Sequence, residues 1–292
     1  MTQAIAKKRE ATRFSLYLSL TKPGIVSGNM LSAFAGYLIA ARGVYDLVPF
    51  CLFTIGLAMV MGAACVFNNC FDAELDRNMV RTRNRALPKG TIEKKQAFYF
   101  GLVLLFLGAF SLCMVNRLAV SLAFFGLFFY VAIYTLFKYV SPHATLVGAI
   151  PGAIPPLIGY VTSRPLVDFP FLLLFFLLVF WQMPHFYAIS LFRLEEFRKA
   201  RIPVFPLKKG IAATKVQMFL FSLAFTATIV VFASYVPASR LFLVSMGISS
   251  LYWNFQCLAG FWRKDTVVWA RSVFGFSIAL MLIFAVTSFF CT

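Results

Sequence analysis

Residues 47–90 read LVPFCLFTIGLAMVMGAACVFNNCFDAELDRNMVRTRNRALPKG. The stretch 47–70 carries no charged side chain, and an apolar run of that length can cross a bilayer as one helix. The part from residue 68 onward then holds three carboxylates, four arginines and a lysine. So dense a block of charge at the end of an apolar run marks the point where a membrane helix reaches the surface.

Working outward, the whole chain has the same character. It has 292 residues, of which 61% are hydrophobic and 13% charged, against about 25% charged in a soluble domain. The fold class expected is all-α: a polytopic integral membrane protein, a bundle of nine transmembrane helices around a central cavity. The spans fall at about 25–41, 47–70, 96–115, 118–137, 144–162, 168–190, 214–233, 240–261 and 270–290. All 292 residues read as one membrane domain, with 1–24 as a cytoplasmic or interfacial N-terminus. Phe14, Leu16, Tyr17, Leu18 and Leu20 make that segment amphipathic enough to lie at the interface. Its basic start could suggest a signal peptide, but eight further spans favour an uncleaved first helix.

The charge orients the bundle. Of 27 Lys and Arg residues, 23 lie on one side, in 1–24, 71–95, at Lys138, in 191–215 and in 262–271. The turns on the other side hold only Arg42, Arg117, Arg164 and Arg240. The positive-inside rule then predicts a cytoplasmic N-terminus and an external C-terminus. Topology and attraction to anionic lipid explain the net charge of +17, so nucleic acid is not needed as a partner. The six cysteines form no CxxC pair and read as small apolar side chains.

The two long basic loops follow the second and sixth spans and end alike, ALPKGTIEKKQAF against FPLKKGIAATKVQMF. This hints at a parallel internal repeat whose charged loops meet over one cavity.

The chemistry sits in the charged block. Asn68, Asp72 and Asp76 are spaced i, i+4, i+8, so they share a face if the second helix continues through them, while Glu74 points away. Two carboxylates and an amide at a membrane surface suit Mg²⁺, which takes one or two carboxylates and is completed by substrate phosphates. Arg77, Arg81, Arg85 and Lys89 come next in the chain, and arginine suits bidentate phosphate contacts. The pattern describes a diphosphate site with Asp72 and Asp76 as metal ligands. As an ordinary solvated loop, the same charges would form surface ion pairs of little energy.

Three further segments bear on it. Tyr134 and Lys138 are again i, i+4; the lysine could snorkel to the interface or neutralise a leaving group. GAIPGAIPPLIGY (148–160) carries three prolines among small residues, a break that is tolerated where it packs against protein or lines a cavity. His185, one of two histidines, follows a proline inside the sixth span. It could ligate a haem iron, act as a base, or simply hydrogen-bond a neighbour.

These segments resemble the UbiA-type intramembrane prenyltransferases, in their haem-farnesylating branch. The likeness rests on TKPGIVSGN (21–29), CVFNNCFDAELDRNMVRTRNR (65–85), GAIPPLIGY (152–160), WQMPHFYAISLFR (181–193) and IPVFPLKKGI (202–211), and runs from about 20 to 280. The resemblance implies that the farnesyl group of farnesyl diphosphate is joined to a vinyl group of haem b, with addition of water, to give haem O. It also implies roles: Asn68, Asp72 and Asp76 as the Mg²⁺–diphosphate motif, Arg81 and Arg85 as its trailing arginines, Tyr134 and Lys138 as the pair of the fourth helix. The second paired-Asp motif of the wider superfamily is missing; His185, Glu195 and Glu196 occupy that region, as in the haem branch. Partners implied are farnesyl diphosphate, haem b and the lipid bilayer, with a downstream haem-modifying enzyme or terminal oxidase to receive product. The first span has no transit extension before it, which leads us to expect a bacterial inner membrane. The alternatives are a prenyltransferase for another aromatic acceptor and a transporter; the latter should place its ionisable residues near the bilayer midplane.

Overall fold

The computed structural model describes residues 12–77 and 82–291. Among them, nine helical segments are long and apolar enough to cross a membrane. A short helix α1 (Arg13–Leu20) precedes α2 (Pro23–Ala41), α3 (Leu47–Asp76) and α4 (Lys94–Val115). The fourth span is composite: α5 (Arg117–Phe128), a π-helical turn (Phe129–Tyr134) and α6 (Thr135–Phe137). The fifth is α7 (Ala144–Gly152) followed by α8 (Ile154–Ser163). Then come α9 (Phe169–Phe192), the loop helices α10 (Leu194–Lys199) and α11 (Phe205–Lys209), and α12 (Ile211–Tyr235), α13 (Arg240–Ala259) and α14 (Thr266–Ser288). The expected spans are all present. The second helix runs on from residue 70 to Asp76, because nothing in NNCFDAELD breaks it.

The face carrying α1 and the two long loops is the basic face of the bundle. Thr12 caps α1, which buries Leu20 and exposes Phe14 and Leu18. A short helix that is apolar on its free side suits the bilayer interface.

Spans two to five pack as two on three, three on four, four on five and two on five. Spans six to nine repeat that pattern: α9 on α12, α12 on α13, α13 on α14 and α9 on α14. The first span, α2, lies against α8 in one set and α14 in the other. The repeat hinted at by the two loops is thus visible in helix pairing. Each loop also places a positive-φ glycine shortly before its next helix, Gly90 at +75° and Gly210 at +90°.

Small residues allow the closest crossing, between α2 and α8. A Cβ on Gly159 would lie 1.9 Å from the Ala33 carbonyl oxygen, and one on Gly36 would lie 2.0 Å from that of Pro156. In lipid, where apolar surface gains little by leaving the solvent, such backbone approach is the main route to tight packing. The proline break falls at Ala153, between α7 and α8. It is sealed by Gln182 of α9, whose Nε2 donates to the carbonyls of Ala149 (3.1 Å) and Leu178 (3.0 Å). Irregular backbone is therefore buried against protein rather than lipid. Outward positions such as Phe106, Val230 and Ile248 are exposed large apolar side chains, as a lipid-facing surface requires.

Candidate active site

Because α3 stays helical to Asp76, Asn68, Asp72 and Asp76 lie on one face, and all three are buried. Glu74 is exposed. Buried carboxylates need compensating charge, and each here has its own cation. Lys138 Nζ lies 2.5 Å from Asp72 Oδ2, and Tyr139 donates its hydroxyl to Asp72 Oδ1 at 2.7 Å. Arg85 NH1 lies 2.9 Å from Asp76 Oδ2. Asn68 accepts from Lys22 Nζ at 2.7 Å and donates to Thr135 Oγ1 at 3.0 Å.

Local structure explains how these groups arrive. Lys22 sits at the joint between α1 and α2 in a left-handed conformation, φ 51° and ψ 64°. That joint turns its side chain onto α3. Burial pulls its ammonium down to about 8, with Arg85 and Lys138 adding to the fall and Asp72 opposing it. In the fourth span, the π turn ends at Tyr134, and Thr135 Oγ1 donates back to the Tyr130 carbonyl at 2.8 Å. A π turn takes more residues than an α turn and resets the register of the residues after it; such turns recur at functional sites. Here Thr135, Lys138 and Tyr139 all face α3. Tyr134 stacks on Tyr130 (centroids 5.6 Å, 17°) and fills the space over Gly148, where a Cβ would lie 2.8 Å from its ring. Lys138 Nζ stands 6.0 Å from the Tyr134 ring centroid. Burial, together with its bond to Asp72, pushes the Tyr139 phenol above its ordinary value.

The loop after α3 closes the other side. Thr82 Oγ1 donates to the Asp76 carbonyl at 3.2 Å, and Arg85 N donates to Thr82 O at 2.9 Å. A cleft of about 330 Å³ opens here, lined by Leu20, Lys22, Asn69, Asp76, Arg85 and Leu87 among others. Arg77 is exposed and apart from the cluster, its Nε donating to the Pro88 carbonyl at 3.2 Å. Arg81 lies outside the described residues.

The second basic loop is anchored nearby. Phe205 packs edge-on against His143 (5.8 Å) and at a tilt against Tyr187 (5.3 Å). The turn at 138–143 therefore touches both the end of α3, at Asp72 through Lys138 and Tyr139, and the second loop, at Phe205 through His143. Glu195 is paired with Arg198 at 2.6 Å, on the surface. His185 lies in a different setting, between α9 and α14, with Trp181, Phe186, Phe274 and Ser277 as its partners.

Sequence reasoning finds Asn68, Asp72, Asp76, Arg85, Tyr134 and Lys138, and the fold brings these to one place. It misses Lys22, Thr135 and Tyr139. Lys22 has a usable mark, a lone cation beside a proline at the start of a span. Thr135 and Tyr139 have none, since only the π turn turns them inward.

The donor set fits magnesium. Two buried carboxylates and an amide oxygen are hard ligands, and the two cations now on the carboxylates occupy positions a metal ion would take over. Among the described residues, no third His, Cys, Asp or Glu joins them, which leaves coordination positions for phosphate oxygens and water.

Apolar helices that end on a carboxylate–cation cluster define a membrane-embedded site for a substrate with an anionic head and an apolar body. The chain belongs to the UbiA prenyltransferase family, whose model matches residues 29–287. It is 39% identical over 272 residues to a protein named protoheme IX farnesyltransferase from Protochlamydia amoebophila (strain UWE25), covering 93% of this chain and 96% of that one. It is 42% identical over 265 residues to one named protoheme IX farnesyltransferase 2 from Pseudomonas aeruginosa (strain UCBPP-PA14), covering 90% and 89%. A solved UbiA homologue from Archaeoglobus fulgidus, described as bound to GPP and Mg²⁺, has the same fold, with a TM-score of 0.68 and 16% identity over 94% of this chain and 99% of that one.

Proposed function

We propose that this protein transfers the farnesyl group of farnesyl diphosphate to a vinyl group of haem b, with addition of water, giving haem O and diphosphate. The observation that carries the reading is the face of Asn68, Asp72 and Asp76, its carboxylates matched by Lys138 and Arg85. The name shared by relatives at 39–42% identity supports the acceptor and donor.

Asp72 and Asp76 would hold Mg²⁺, which supplies charge neutralisation of the diphosphate and weakens its allylic C–O bond. Lys138 and Arg85, on those carboxylates, and Lys22, on Asn68 beside them, stabilise the departing diphosphate. Arg81 is assigned to the diphosphate on its place in the charged block alone, and Arg77, turned to the Pro88 carbonyl, to no more than a peripheral contact with it. Tyr134 stands beside Lys138, and we assign its ring to favouring the allylic cation. The C–O bond breaks with its electron pair leaving on the diphosphate. The vinyl π electrons form the new C–C bond, water adds to the cation left beside the macrocycle, and a proton is released. His185 holds the haem. We assign the basic face to the cytoplasm of a bacterial inner membrane, from the bias of Lys and Arg, and a haem-modifying enzyme or terminal oxidase as the receiver of product.

The test uses purified protein in detergent with haem b, farnesyl diphosphate and Mg²⁺, and mass spectrometry of the extracted haem. Haem heavier by one farnesyl and one water, lost with EDTA and restored by Mg²⁺, is the expected result. Unchanged haem, with diphosphate released on another aromatic acceptor, would overturn the haem assignment alone.

A further inference from the structure

His185 and Trp181 of α9 both grip one residue of α14. Trp181 Nε1 donates to the Ser277 backbone carbonyl at 2.9 Å, and His185 Nδ1 lies 2.7 Å from the Ser277 hydroxyl oxygen. Trp181 stacks on the imidazole (centroids 4.8 Å, 26°), and Phe274 packs against it at a tilt (4.8 Å, 38°). Ser277 is completely buried.

A second contact of Ser277 sets the direction of its bond to the imidazole. Ser277 Oγ lies 2.6 Å from the Phe274 carbonyl oxygen. Two oxygens that close, with no hydrogen between them, would repel through their lone pairs, so the single hydroxyl proton points at Phe274. The hydroxyl can then only accept from His185, and Nδ1 must carry the ring proton. A neutral imidazole has one such proton, so Nε2 presents a bare lone pair. It makes no hydrogen bond to the described residues. Histidines that bind metals are held in the same way, donating the far ring N–H to a fixed oxygen, which sets tautomer and ring angle. His185 lies seven residues before the end of α9, about 10 Å along the helix from the basic face.

We propose that Ser277 is a positioning residue for the porphyrin substrate. It fixes His185 in the Nδ1–H tautomer, so that Nε2 is offered as an axial ligand to the haem iron, and Trp181 and Phe274 stop the ring from turning. This rests on haem b being the acceptor and adds to that reading the group that makes His185 a ligand.

The experiment titrates purified protein in detergent with ferric haem b, reading the Soret band and electron paramagnetic resonance, and separately measures farnesyl diphosphate binding. His185→Gly should lose the histidine-ligated spectrum, and added imidazole should restore it. Ser277→Ala should weaken haem binding about 10- to 100-fold, the range for removing a ligand's supporting partner, and Ser277→Thr, which keeps the hydroxyl, should recover most of it. Farnesyl diphosphate binding should stay unchanged in all three. Ser277→Ala with wild-type haem affinity and spectrum would overturn the proposal, as would parallel loss of both ligands, which would make Ser277 a packing residue. An unchanged spectrum in His185→Gly would overturn both His185 ligation and the proposal, while leaving farnesyl transfer to be judged by product mass.

Discussion

Lys138 stands 2.5 Å from Asp72, a carboxylate 66 positions away in the chain, and holds the place that a metal ion would need. In the mechanism proposed above the lysine has two stations, on the carboxylate in the free protein and on the diphosphate when substrate is bound. Lys138→Met should lower turnover about 10²- to 10³-fold, the usual cost of one electrostatic stabiliser. With the competing ammonium gone, the Mg²⁺ concentration needed for half-maximal residual activity should fall. Diphosphate release measured across a Mg²⁺ titration checks both effects.

Asp72 and Asp76 should separate in stability although the proposed mechanism needs both for turnover. Asp72→Ala strands Lys138, whose side chain is only 16% exposed, and leaves Tyr139 without its acceptor. An uncompensated buried cation costs about 3–5 kcal/mol. Asp76→Ala leaves Arg85, 33% exposed and able to reach water, so the loss should be about 1 kcal/mol. Thermal unfolding in detergent should show the larger drop for Asp72→Ala. Equal drops would mean that the two pairs are equally solvated.

Arg85 and Arg77 differ in the same way. Arg77 is directed at the Pro88 carbonyl and Arg85 at Asp76. Arg85→Ala should reduce kcat/KM for farnesyl diphosphate by about 100-fold. Arg77→Ala should stay within a few-fold of wild type, the scale of a surface contact. Steady-state kinetics with varied farnesyl diphosphate reads both.

Two glycines test the packing. A methyl on Gly159 would run into the Ala33 carbonyl, and overpacking of this kind costs about 1–3 kcal/mol or more. A methyl on Gly247 of α13 would meet nothing within 4 Å, so Gly247→Ala should be neutral or stabilising by up to about 1 kcal/mol. Thermal midpoints and yields of folded protein should fall for Gly159→Ala and hold for Gly247→Ala.

Much of the architecture is legible in the chain itself. The spans follow from runs of apolar residues, since the bilayer sets their length, and the proline break in the fifth span from the missing N–H groups of Pro151, Pro155 and Pro156. Hydropathy locates the second helix but ends it early, at residue 70, because charge marks where the membrane ends and not where the helix does. Helical spacing pairs Tyr134 with Lys138, and they stay neighbours, although the backbone between Phe129 and Tyr134 is π-helical.

Periodicity and charge are local quantities. They suffice to set nine spans, a basic face, and one side of α3 bearing Asn68, Asp72 and Asp76, because each is read from composition and spacing along the chain without knowing which helix packs on which. Which cation meets which carboxylate is not local. Lys22 reaches Asn68 across 46 positions, Lys138 reaches Asp72 across 66, and His185 meets Ser277 across 92. Those pairings depend on a left-handed joint at Lys22, a π turn in the fourth span and the crossing of α9 with α14. All three arise when helices pack, as backbone and side chains settle against surfaces contributed by distant parts of the chain.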